Sequence, residues 1–342
     1  MQNFEFYNPT NIVFGSKTIA RLAELVPDDV RVLVLYGGAS AQKNGTLDEV
    51  RAALGARDVQ EFGGIEPNPT YETMMRAVEQ VRNGKIDFLL AVGGGSVIDG
   101  TKFVAAAVNF PGDAWDILLT HGQNIESALP FGVVLTLPAT GSEMNCGSVI
   151  MRRASHAKLA FMNRYVFPQF SILDPSKTYT LPPQQIANGV VDTYVHIIEQ
   201  YLTYPVGGMV QDRFAEGLLQ TLIELGPKAL ATPEDHARTL AIVLPSLLNV
   251  QREGKRTKLL QYAERVWQVT DGDEAQRIDE AIRRTAQFFE SIGIKTHLAD
   301  YGLGSDVIDA LIAQLEAHGM TALGEHKNIN LDVSRKILEG AL

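Results

Sequence analysis

Residues Phe88–Asp99, FLLAVGGGSVID, constrain the fold more than any other segment, because a short apolar run stops at three consecutive glycines and a Ser-x-x-Asp follows at once. The run Phe88–Val92 is short, apolar and punctuated by glycine, which suits a strand buried on both faces. Ser96 is placed to cap a helix whose third residue is Asp99, and Lys102, Phe103, Val104 and Ala105–Ala107 continue a helical pattern. A strand feeding a glycine turn and then a helix N-terminus aims backbone N–H groups and the positive end of a dipole at one point, where an anion fits. Glycine is needed there because a Cβ would hold a pyrophosphate away from the backbone. A tight strand-to-helix connection without a ligand is the plain alternative.

The first half of the chain repeats that rhythm. Short β-rich runs at Val32–Leu35, Phe88–Val92 and Val133–Leu137 alternate with a helix within Thr46–Leu54 and another opened by Asn68-Pro69, as in a parallel α/β sheet. After Leu181-Pro182-Pro183 the character changes. Gln184–Tyr201, Arg213–Leu225, Lys255–Val269, Glu274–Ile292 and Ser305–Ala317 carry helical periodicity with no strand runs between them. A chain of 342 residues is long enough for two domains. The pattern predicts an α/β domain with a Rossmann-like parallel sheet over residues 1–181 and an all-α domain over residues 182–342.

Composition narrows the partners. A net charge of −10 argues against nucleic acid, since the basic clusters Arg152-Arg153 and Lys255-Arg256 are short and isolated. No apolar run approaches a membrane span, and MQNFEFYNPT lacks the basic and apolar regions of a signal peptide, so a cytoplasmic location away from membranes is expected. The single cysteine, Cys146, excludes an internal disulfide and any multi-Cys zinc site.

A second glycine turn follows Val32–Leu35, in Tyr36-Gly37-Gly38-Ala39-Ser40. Dinucleotide sites that take the unphosphorylated cofactor usually place an acidic side chain at such a strand end, where it holds the ribose diol and repels a 2′-phosphate. This strand end has no Asp or Glu; its small residues, the Ser40 hydroxyl and Lys43 leave room and donors for a phosphate, which favours NADP(H). A plain surface turn is the competing reading.

In the helical half, Asp192 and His196 stand four residues apart, on one helix face, where both could bind one divalent ion or form an ordinary surface pair. A third candidate ligand, His236, precedes the apolar stretch Leu240–Leu248. His121, His156, His297, His318 and His326 are less useful candidates.

With these features assembled, the chain resembles the iron-containing (group III) alcohol dehydrogenases, in the NADPH-dependent branch of butanol dehydrogenases and broad-range aldehyde reductases. The matching segments are Phe6–Thr10, Gly93–Ser96 with Asp99, Leu135–Asn145 (LTLPATGSEMN), Leu173-Asp174-Pro175, Asn188–His196, His236–Pro245 and Leu331–Arg335. The resemblance implies a dehydroquinate synthase-like fold, with a dinucleotide-binding first domain and a second domain for metal and substrate. It implies that Gly94, Gly95, Ser96 and Asp99 hold the pyrophosphate and nicotinamide side of the cofactor. Thr136, Thr140, Asn145 and Lys158 would line the cofactor cleft, Asn68 would be a further cofactor contact, and Gly37, Gly38 and Ser40 would receive the 2′-phosphate. Asp192, His196 and His236 would be the metal ligands, with Fe or Zn the expected ion. The implied chemistry is hydride transfer between NADP(H) and a small aliphatic aldehyde or primary alcohol, the metal serving as Lewis acid. A homodimer is implied as well, with the N-terminal strand around Phe4–Val13 as a contact.

One part of the family pattern is absent. Between Leu230–Asp235 and His236 the family carries about 45 more residues, enough for two or three helices of ordinary length. They include a His-x-x-x-His pair whose first His resembles the remaining metal ligand. Three ligands still suffice in number for a catalytic metal with an open position. Loss of buried helices, however, would expose apolar surface and weaken the metal site. The alternative function is therefore a nucleotide-binding protein that has lost a complete metal site. A lyase of the dehydroquinate synthase type would need several Lys and Arg around a phosphate-bearing substrate, and Gln184–Thr203 contains none.

Overall fold

The computed structural model describes residues 5–38, 40–229 and 238–342. The chain divides into two compact units between Thr180 and Leu181.

The first unit contains β1 (Asn11–Phe14), α1 (Leu22–Leu25), β2 (Val32–Tyr36), α2 (Ser40–Lys43), α3 (Thr46–Leu54), β3 (Val59–Phe62), α4 (Tyr71–Gly84), β4 (Phe88–Gly94), α5 (Gly95–Ala107), α6 (Asp116–Leu119), β5 (Phe131–Leu137), β6 (Gly147–Arg152), β7 (Ala157–Met162) and β8 (Phe170–Leu173). Six strands form one parallel sheet in the order β1-β8-β5-β4-β2-β3. The central strands read as apolar runs because both faces are covered. Leu33, Leu35, Leu89, Ala91 and Val133 pack on one face with Met74 and Val78 of α4 and Phe103 of α5. Val32, Val34, Leu90, Val92 and Val134 pack on the other with Leu47, Val50 and Leu54 of α3. Alternate residues of one strand thus belong to two cores, as the period of two requires.

From β2 the chain steps outward to β3, and from β4 it steps the other way to β5. The direction of winding therefore reverses between the neighbours β2 and β4, and the crevice beyond the carboxyl ends of such a pair is where open α/β sheets bind ligands. An antiparallel hairpin, β6 with β7, runs from Gly147 opposite Met162 to Arg152 opposite Ala157. Its strands lack a clean apolar alternation, and nothing in the sequence pattern marked it.

Two local expectations need correction. The helix after Asn68-Pro69 is opened by Thr70, whose hydroxyl accepts the Thr73 N–H at 3.3 Å, while Asn68 itself sits at φ 56°. Ser96 caps nothing: β4 continues through Gly93 and Gly94, α5 starts at Gly95, and no side chain caps it. The glycines extend the strand until the sheet geometry itself delivers the chain to the helix.

The second unit is helical among the described residues: α7 (Pro183–Thr203), α8 (Met209–Ala229), α9 (Arg238–Val250), α10 (Arg256–Arg265), α11 (Glu274–Ser291), α12 (Asp306–Ala317) and α13 (Leu331–Glu339). Pro183 opens α7 at a position where its missing N–H costs nothing. Asp273 and Gln276 form a reciprocal capping box on α11. The core gathers Tyr194, Ile198, Leu259, Tyr262, Ala281 and Phe289. On α8, Val210, Phe214, Leu218 and Leu225 share one face at helical spacing and are each at least half exposed. No helix among the described residues is long and apolar enough to cross a membrane.

Candidate cofactor and metal sites

Three neighbouring strand ends build the cradle. Tyr36 at the end of β2 pairs with Val92 of β4, and Gly94 of β4 pairs with Leu137 of β5. A Cβ on Gly93 would lie 2.5 Å from Val97 Cγ2, and a Cβ on Gly37 would lie 3.5 Å from that same methyl group and 3.3 Å from the Ile65 carbonyl. The two glycine turns are therefore side by side, with the first turn of α5 against both. At the head of α5 the leading N–H groups have no partner within the helix, and they point with the helix dipole towards this corner. Gly38 faces open space, and Ser40 and Lys43 are exposed on α2; Ala39 lies outside the described residues. The neighbouring carboxylate Glu61 on β3 is held by Arg51 at 2.6 Å and 2.9 Å, which keeps it below the usual carboxylate range despite partial burial.

Other expected cofactor residues converge on the same corner. Ser96 Oγ accepts the Asn68 N–H at 3.3 Å, and Lys158 Nζ donates to Asn68 Oδ1 at 2.8 Å. Thr136 is an extra residue in β5, because Gly93 pairs with Leu135 and Gly94 with Leu137. A bulge of this kind re-aims a side chain at the strand end. Thr140 stands against Gly95, whose absent side chain makes the approach possible.

Beneath the cradle lies a polar network that the sequence pattern did not reveal. Lys102 Nζ donates to Ser142 Oγ at 2.9 Å, Asn145 Oδ1 at 2.8 Å and the Gly147 carbonyl at 2.8 Å. Ser142 donates in turn to Asp99 Oδ1 at 2.6 Å, and Asp99 Oδ2 accepts the Val149 N–H at 2.9 Å. Burial pushes the Asp99 carboxyl up against the opposing pull of Ser142 and Lys102, and burial brings the Lys102 ammonium down to about 8. The available signal was spacing: Gly95, Asp99 and Lys102 share one helical face.

On α7, Asp192 Oδ1 and His196 Nε2 are 3.6 Å apart, with the imidazole half exposed. Two tetrahedral ligands at ordinary zinc distances stand about 3.4 Å from each other, so this pair fits a shared ion. Among the described residues no group of three His, Cys, Asp or Glu side chains is gathered. His236, the third expected ligand, lies outside the described residues.

Comparison with known proteins decides the family. The profile described as iron-containing alcohol dehydrogenase matches residues 9–175, and that of the C-terminal part of the Fe-containing alcohol dehydrogenase family matches residues 234–342. The chain belongs to the iron-containing alcohol dehydrogenases. The NADPH-dependent aldehyde reductase YqhD of Escherichia coli K12 is 54% identical, with all of both chains covered. That alignment runs over 386 positions against 342 residues here, so at least 44 aligned positions have no counterpart in this chain. A probable NADH-dependent butanol dehydrogenase of Bacillus subtilis is 36% identical, again over all of both chains. A crystal structure of E. coli YqhD superposes with a TM-score of 0.97 at 53% identity, covering 99% of each chain. The parallel sheet followed by helices is the fold of these relatives.

Proposed function

We propose that this chain is an oxidoreductase that transfers hydride between NADP(H) and small alcohols or aldehydes with the help of one divalent metal, iron or zinc. The observation that carries this reading is the placement of both glycine turns on the neighbouring strands β2 and β4, at the point where the sheet reverses its winding. One relative is named for NADPH and another for NADH, so the choice of coenzyme rests on the end of β2. There the nearby carboxylate is spent on Arg51, and Ser40 and Lys43 are open to a 2′-phosphate.

Within the first unit, the N–H groups at the head of α5 would meet the pyrophosphate, with Gly94, Gly95, Ser96 and Asp99 shaping the turn. Thr136, Thr140, Asn145, Lys158 and Asn68 would line the remaining length of the cofactor, and Gly37, Gly38 and Ser40 its phosphorylated ribose. In the second unit, Asp192, His196 and His236 would hold the metal. When bound, the metal would polarise the substrate oxygen as a Lewis acid and the nicotinamide would carry the hydride.

The reading extends to a cytoplasmic homodimer. β1 is an edge strand whose Phe14 is 72% exposed, with Phe6 and Tyr7 exposed just before it. An apolar edge of this kind suits pairing with a second copy.

Identity along the whole chain favours the enzyme over a nucleotide-binding protein that has lost its metal. Elemental analysis, NADPH titration and aldehyde-dependent NADPH oxidation on one sample test the point. Near one iron or zinc per chain with turnover is the expected result. NADPH binding without metal or turnover would leave the nucleotide-binding alternative, and absence of NADPH binding would sink both.

A further inference from the structure

The segment from Thr140 to Gly147 joins β5 to the β6–β7 hairpin with little regular structure, a single 3₁₀ turn at Ser142–Met144. Gly141 within it is at φ +66°. Its shape therefore depends on what its side chains meet, and what they meet is one face of α5. Gly95, Asp99 and Lys102 follow one another up that face at spacings of four and three. Gly95 is at the cradle, Asp99 takes Ser142 and the Val149 N–H, and Lys102 takes Ser142, Asn145 and Gly147.

An ammonium has three donors and no acceptor. All three of Lys102 are used within this network, and its side chain is fully buried, so it has no donor left for a ligand phosphate. A buried cation is costly unless its partners hold it well, and a network satisfied at every member is stiff. Asn145 Oδ1, besides accepting from Lys102, accepts the Gly147 N–H at 2.9 Å, and Ser142 N–H donates to Thr140 Oγ1 at 3.3 Å. One ammonium thus holds Asn145 directly and, through Ser142, the residue whose N–H donates to Thr140, which stands against Gly95.

We infer that Lys102 is a positioning residue for the cofactor: it clamps the 140–147 segment onto α5, and through that clamp it fixes Thr140 beside the glycine turn and holds Asn145, proposed above to line the cofactor. The inference rests on the proposed NADP(H) site. Lys102 itself touches no cofactor; it acts on binding through Ser142 and Asn145. Removing it should loosen the segment and weaken NADPH binding more than it slows hydride transfer in molecules that have bound NADPH.

The test uses the full chain. Lys102→Met removes the charge and donors at similar volume, and Ser142→Ala removes only the bridging hydroxyl. Backbone hydrogen exchange is followed without nucleotide, and the NADPH Kd from fluorescence titration is set against kcat at saturating NADPH. Faster exchange confined to residues 140–149 is expected in both variants. The NADPH Kd should rise about tenfold in Lys102→Met and about threefold in Ser142→Ala, with kcat at saturation within about twofold of the parent. Unchanged exchange or unchanged Kd in a folded variant overturns the inference. So does loss of protection across the whole sheet with Kd and kcat falling off together, which marks general destabilisation. Should Lys102→Met not fold, Ser142→Ala decides alone by the same criteria. If the parent protein itself binds no NADPH, the proposed function falls and takes this inference with it; normal parent binding with unmoved variants removes the inference alone.

Discussion

A Cβ built on Gly95 would stand 2.5 Å from Thr140 Oγ1, closer than any real contact of that kind. The head of α5 and the segment after β5 can meet only because this residue has no side chain. Alanine is the better helix former by about 1 kcal/mol, but the clash with a short, β-branched neighbour opposes that gain and overpacking costs about 1–3 kcal/mol. Gly95→Ala should therefore lower Tm and raise the NADPH Kd about tenfold. Thermal melts and fluorescence titration check it; a stabilised variant with unchanged affinity would show that Thr140 simply yields.

Ser40 opens α2 just beyond the end of β2 and is exposed. A carboxylate there would repel a 2′-phosphate and could accept from a ribose diol. Ser40→Asp should raise the NADPH Kd about tenfold or more while leaving NADH binding level or improved. Paired titrations with the two coenzymes decide the matter. An unchanged ratio would place the phosphate elsewhere.

Asp192 and His196 belong to the helical unit, and the glycine turns to the α/β unit. Asp192→Ala should abolish both stoichiometric metal and aldehyde reduction, with the NADPH Kd within about twofold of the parent. Elemental analysis and titration on the same preparation provide the check. Equal loss of metal and NADPH binding would show that the two functions are not carried by separate units.

Glu216 of α8 is buried and accepts from Tyr201, Gln261, Arg265 and Arg213 at 2.6–3.0 Å. Burial by itself pushes its carboxyl up, but these donors outweigh burial and bring it down to about 2. A carboxylate held below its unfolded value stabilises the native state above that value, and the contribution fades as the pH falls from about 4.5 towards 2. The helical unit should therefore lose stability across that window, and Glu216→Gln should flatten the profile while costing about 3 kcal/mol at neutral pH. Urea unfolding at a series of pH values measures both. A variant with the parent's acid slope would assign the loss to other carboxylates.

Much of the architecture was legible because it is local. Phe88–Val92 reads as a buried strand from its own residues, and the helices at Thr46–Leu54 and Glu274–Ser291 fall where their periodicity puts them. Asp192 and His196 could be paired from their spacing alone, since one helical turn brings them within reach. Ser96 shows where local rules mislead. Ser-x-x-Asp is a capping pattern in isolation, yet strand pairing carries β4 through Gly94, so Ser96 enters the helix and Asp99 turns to Ser142 and Val149.

Residue order alone is enough to show that a glycine turn joins a buried strand to a helix, that the second half is helical, and which residue types stand ready for a phosphate and a metal. It also marked the family, through motifs that are contiguous in the chain. The folded chain was needed to show that the turn after β2 lies beside the turn after β4, that Thr136 bulges from β5, and that Lys102 finds Ser142 forty positions along the chain. The reason is physical. Periodicity states which face of an element is buried, whereas strand order and register state what that face meets, and these are settled by packing between segments far apart in sequence.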